Sequence, residues 1–123
     1  MLIFAVALQA ASSMTMVNEQ EMAWADCLGQ RAVALSVSPD PAGTVVDAAF
    51  AICHEIETRA KLEKRDYVTS HLLQRGVVAS PAEAERLADG AEAEGWANVT
   101  AEMRGMIIAA VVQARANAAR LRR

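Results

Sequence analysis

Apolar residues recur along this chain every three or four positions, and nowhere do β-branched or aromatic residues alternate with polar ones. The first period belongs to helices and the second, absent here, to strands. Alanine supplies 27 of the 123 residues, whereas only five are aromatic. Alanine is the best helix former but buries little area, so such a core is thin and needs closely approaching helices. The three prolines, Pro39, Pro41 and Pro81, punctuate the pattern without interrupting it. The fold class expected is all-α: a three- to four-helix bundle or an extended helical hairpin. A chain of this length forms one domain that buries about two-thirds of its unfolded surface.

Asn18 followed by Glu21 forms an N-cap and capping-box pair, which predicts a first helix. It carries Met22, Trp24, Cys27, Leu28 and Leu35, with Trp24, Cys27, Leu28 and Arg31 on one face, and ends near Ser36. Pro39 disfavours helix at Ser38. Asp40 and Pro41 then read as N-cap and first position of a second helix. Its apolar stripe is Val45, Ala49, Ile52, Cys53, Ile56 and Ala60. From Glu55 to Asp66 the residues turn strongly charged, the pattern of a solvated helix surface. Glu55–Arg59 and Glu57–Lys61 are i, i+4 pairs in the favourable order. Gly76 is a stop after Arg75. The helix between Pro41 and Arg75 either runs unbroken or bends within the charged stretch.

"SPAE" at 80–83 is the strongest local signal: Ser80 caps, Pro81 suits the first position, and Glu83 closes the box. The stripe that follows is Leu87, Ala91, Val99, Met103, Met106, Ile107, Ala110 and Val111. Gly90 and Gly95 either break this helix or admit a neighbouring one, and a single long helix is the expectation.

The only two cysteines are Cys27 and Cys53, each on an apolar helix face. Three readings compete. The expected one is a Cys27–Cys53 disulfide that staples the first two helices, worth about 3.5 kcal/mol by loop-closure entropy. Alternatively the thiols are free, buried, small hydrophobes in a cytosolic protein. A metal or redox site is the third, and spacing argues against it: zinc needs four ligands with closely paired cysteines. His54 follows Cys53 directly but points about 100° away around a helix. "HEIET" at 54–58 lacks the second histidine of a zinc-protease motif. His71 is seventeen residues from His54 and reads as a surface or interface side chain. No phosphate loop, nucleophile elbow or dinucleotide fingerprint occurs. Glu83, Glu85, Glu92 and Glu94 read as a solvated face. No catalytic residue, metal ligand or cofactor is therefore assigned.

The chain opens "MLIFAVALQAASSMT". Leu2 to Leu8 is an apolar run of signal-peptide length, with small residues suited to cleavage between Ala10 and Ser13. No basic residue precedes it. Residues 1–12 are expected to be a signal peptide and 13–123 the mature all-α domain, exported to the periplasm; a cytoplasmic location is the alternative. Trp24 and Cys27, and Phe50 and Cys53, stand at matching spacings behind this leader. Over residues 1–60 the pattern resembles small exported bacterial helical proteins, a likeness that implies a compartment and no mechanism.

Net charge is −3, which disfavours a nucleic-acid partner. From Met103 onward there are five arginines, Arg104, Arg115, Arg120, Arg122 and Arg123, and no acid; before it seven bases face fifteen acids. Late arginines complement a helix dipole. They also offer contact with an anionic membrane surface through a basic amphipathic helix, 103–123. The function expected is that of a non-enzymatic interaction or envelope-structural protein, with a protein partner or a second copy of itself. A membrane-surface protein is the alternative.

Overall fold

The computed structural model describes residues 19–122, and among these every regular element is a helix. The order is α1 (Glu19–Leu35), α2 (Ala42–Ile52), α3 (His54–Gln74) and α4 (Pro81–Leu121). The expected all-α bundle is present, with Cys27 bonded to Cys53. The signal peptide expected over 1–12 and the Asn18 cap lie outside the described residues, as does Arg123.

The α1–α2 connection is a turn in which Ser36 and Ser38 donate backbone N–H groups to Val33 and Leu35. Asp40 does not cap α2, contrary to the sequence reading. Its carboxylate instead accepts the Ser38 hydroxyl at 2.8 Å, and its own N–H donates back to that oxygen at 3.2 Å. The capping position falls on Pro41, whose carbonyl accepts from Thr44 and Val45. A local Ser–Asp turn has outcompeted the helix end for the carboxylate.

Between Pro41 and Arg75 the chain bends, but at Cys53 rather than within the charged stretch. Cys53 has φ −91° and ψ 9°, outside helical values. Its N–H still reaches the Ala49 carbonyl at 3.0 Å and its carbonyl accepts from Glu57 at 3.1 Å. α2 and α3 thus form one hydrogen-bonded rod with a bend at the cross-linked residue. Gly76 ends α3 with φ +66°, a conformation open to glycine. Gly76 donates to Leu73 and Val77 to Leu72, the paired bonds of a Schellman stop.

Ser80 caps α4 as expected, its hydroxyl accepting from the Glu83 N–H at 3.3 Å. α4 then continues through Gly90 and Gly95 for 41 residues, about 60 Å at helical rise. Neither glycine admits a close neighbour, because a Cβ added at either would meet nothing within 4 Å. A third glycine, Gly105, is equally open.

Contacts along α4 set the direction of everything else. Asp89 meets Arg65, Trp96 meets Glu57, Arg104 meets Asp47, and Arg115 meets the turn at 36–40. The α2–α3 rod therefore runs antiparallel to α4. Trp24 of α1 lies beside Trp96 and Ser36 beside Arg115, so α1 runs parallel to α4. The result is a three-rod bundle in which α3 and α4 continue as a two-helix arm past the level of Glu19. Fully buried alanines, Ala32, Ala49, Ala60 and Ala84, sit where the rods approach. That is the thin, closely spaced core its alanine content requires.

Candidate functional site

The sequence placed Trp24 with Cys27, and Phe50 with Cys53, each one helical turn apart. Folding brings the two pairs together. Cys27 and Cys53 are joined with their Cα atoms 6.0 Å apart. Trp24 meets Phe50 edge to face at 5.9 Å between ring centroids. Cys53, Trp24 and Leu28 are fully buried. The sulfur bridge and the aromatic contact form adjacent layers of one core. Apolar residues expected on these faces do not all reach it: Met22, Ile52, Leu87 and Met106 are exposed.

Trp96 completes this core, and the sequence reading passed it over. Its ring stacks on Trp24 at 5.1 Å with a 30° interplanar angle. The signal was there, since Ala88, Trp96, Met103, Ile107 and Val111 fall on one stripe at steps of four, seven and eight. The Trp96 indole donates to Glu57 Oε2 at 3.2 Å. Lys61 Nζ approaches the same oxygen at 3.4 Å, as the i, i+4 spacing predicts. Lys64 Nζ lies 3.2 Å from Oε1 of Glu21, a buried carboxylate on α1. Both ammonium groups stand over Trp96, at 5.6 and 5.9 Å from its centroid. Such cation–ring contacts are worth about 0.5–1 kcal/mol each at exposed sites.

This belt ties α1 to α3 through Glu21 and Lys64, and α3 to α4 through Glu57 and Trp96. Its carboxylates are matched by cations and an indole N–H, an arrangement suited to holding helices. By contrast, the buried Trp24 indole N–H has no acceptor among the described residues. Neither histidine joins the belt: His54 is exposed beside the bend, and His71 stacks on Tyr67 at 5.9 Å. Among the described residues no three His, Cys, Asp or Glu side chains are grouped to hold a metal ion.

The C-terminal arginines divide into two sets. Arg104 pairs with Asp47 and approaches the Gly43 carbonyl at 3.4 Å. Arg115 donates to the carbonyls of Ser36 at 3.0 Å, Ser38 at 2.8 Å and Asp40 at 2.5 Å. These two act inside the molecule. Arg120 and Arg122 are exposed, with Arg122 Nε donating to Ala118 in the last turn.

The middle of the apolar stripe of 103–121 is committed, while Met106 and Leu121 are exposed. Ile107 and Val111 are buried in the core, with Met103 packed against it. A membrane-surface helix lying flat on that stripe would have to leave the bundle. No described helix is long and apolar enough to cross a membrane. Comparison with protein-family models, curated proteins and solved structures finds no match for this chain.

Proposed function

We propose that this is a small exported helical protein acting without catalysis, as an interaction or structural component of the cell envelope. The observation that carries the reading is the Cys27–Cys53 bond, with Cys53 in the core and Cys27 packed against it. Disulfides persist in oxidising compartments and are rare in a reducing cytosol. The bond joins α1 to the α2–α3 junction, so it holds two of the three rods in register from one point. Support also comes from the polar belt, where Glu21 and Glu57 meet Lys64, Lys61 and Trp96. Those contacts fix helices and leave the arm of α3 and α4 projecting. The arm shows Leu73, Val77 and Leu87 to solvent, a surface a protein partner or a second copy could cover.

The test is the intact mass of the protein from its native host, measured without and then with reductant, alongside fractionation. A chain shortened by the leader, found in the envelope fraction, and gaining about two hydrogens on reduction supports the proposal. A full-length cytosolic chain with two free thiols overturns the export half. Turnover that disappears when one polar residue is changed overturns the non-catalytic half.

A further inference from the structure

One end of the bundle gathers features that the core does not use. Val37, in the α1–α2 turn, and Leu121, in the last turn of α4, are 90% and 89% exposed. Both line one open cleft, together with Pro39, Ala118, Arg115 and Arg122. An apolar side chain so fully offered to water gains nothing from folding. Two of them from remote parts of the chain at one cleft make an apolar tip. Its rim is basic: Arg120 and Arg122 are exposed, and Arg123 follows in the sequence. The one acid in residues 36–41 or after Glu102 is Asp40, whose carboxylate accepts the Ser38 hydroxyl.

We propose that this end seats on an anionic lipid bilayer, end-on. Val37 and Leu121 enter the interfacial layer, while Arg120 and Arg122 meet the headgroup charges. Charge complementarity selects this occupant, because the tip is basic on a body that is acidic. The flat mode that the sequence invites would draw on Ile107 and Val111, which are core residues, whereas the end-on mode leaves them in place. It also leaves Arg115 in place, holding the turn that presents Val37. Docking of this kind needs no unfolding of α4.

The experiment is co-sedimentation of the purified, oxidised protein with vesicles. One set contains phosphatidylglycerol in phosphatidylcholine, and the other phosphatidylcholine alone. Binding is expected to the anionic set only, and to weaken as salt is raised. Changing both Arg120→Ala and Arg122→Ala should lower the partition coefficient about thirtyfold. Changing both Val37→Ser and Leu121→Ser should lower it roughly tenfold or more. Met106→Ser, exposed on α4 away from the tip, should leave it unchanged. All these positions are exposed, and far-ultraviolet circular dichroism verifies that each variant keeps its helices. Equal binding to both vesicle sets, or loss with Met106→Ser while the Val37/Leu121 variant binds fully, overturns the proposal. No vesicle binding, with retention on immobilised poly-glutamate, overturns it too and assigns the arginines to an acidic polypeptide. The assay uses isolated protein, so its failure is separable from a failure of the compartment reading above.

Discussion

Arg115, near the end of α4, donates its Nε–H to the backbone carbonyl of Ser36 at 3.0 Å, across 79 positions of sequence. The same guanidinium reaches the carbonyls of Ser38 and Asp40. Ser36 lies just past the end of α1, where helical carbonyls lose their partners. A planar fork can serve several acceptors at once, which an ammonium on a flexible stem cannot. Arg115 thus closes the turn between α1 and α2 onto α4.

Arg115→Ala should therefore destabilise the protein by about 2 kcal/mol, the scale of a hydrogen bond with a charged partner. Arg115→Lys should recover less than half of that. Urea unfolding of the oxidised proteins measures both. A lysine variant as stable as the parent would mean that charge alone suffices and that the fork geometry is irrelevant.

The disulfide contributes by restricting the unfolded chain. Cys27 and Cys53 are 26 positions apart, so replacing both with alanine should cost about 3.5 kcal/mol. Cys53→Ser with Cys27→Ser should cost more, because it places a hydroxyl where Cys53 is fully buried. Thermal unfolding of the two variants checks the order. An alanine variant unfolding with the parent would show that packing around Trp24 alone carries the hairpin.

Trp24 and Trp96 stack on each other but differ in what their N–H groups do. Trp96 donates to Glu57, whereas the buried Trp24 donor has no acceptor among the described residues. An unmet buried donor costs about 1–3 kcal/mol. Trp24→Phe removes that cost while opening a small void, so stability should stay within about 1 kcal/mol of the parent. Trp96→Phe removes a bond to a carboxylate and should cost about 1.5–3 kcal/mol. Guanidinium midpoints, followed by the remaining tryptophan's fluorescence, separate the two. The reverse order of costs would mean that Trp24 finds an acceptor in solution.

What was legible in the residues is local, and what was hidden is long-range. Ser80, Pro81 and Glu83 announce the start of α4 because a cap is made by neighbours in sequence. Gly76 marks the stop of α3 for the same reason. The cysteine faces can be placed by helical period, which makes the Cys27–Cys53 staple the expected reading, and the bond is present. Trp96 was missed although its stripe is visible, since period alone does not say which apolar residue meets Trp24 on another helix. Lys64 and Glu21 are 43 positions apart, and the charged stretch reads as solvated until α1 is laid against it. The bend at Cys53 has no glycine or proline to signal it. The late arginines looked like one patch, but Arg104 and Arg115 are claimed by Asp47 and a turn that only the fold brings near.

α4 carries an avoidable weakness. Gly90, Gly95 and Gly105 lie inside it, and a Cβ at any of them would meet nothing within 4 Å. Alanine at such sites restricts the unfolded chain and favours the helix, by about 0.4–1 kcal/mol each. Gly90→Ala, Gly95→Ala and Gly105→Ala should each raise the unfolding midpoint, and the triple variant should gain nearly the sum, since the sites share no contact. Gly76→Ala should act in the opposite direction, losing about 1 kcal/mol or more, because φ +66° is strained for a residue with a Cβ. Differential scanning calorimetry of the four single variants and the triple gives the signs directly. If Gly95→Ala instead lowers the midpoint, then something packs on α4 beside Trp96 in solution, where Gly95, Ala88 and Val68 line a shallow groove.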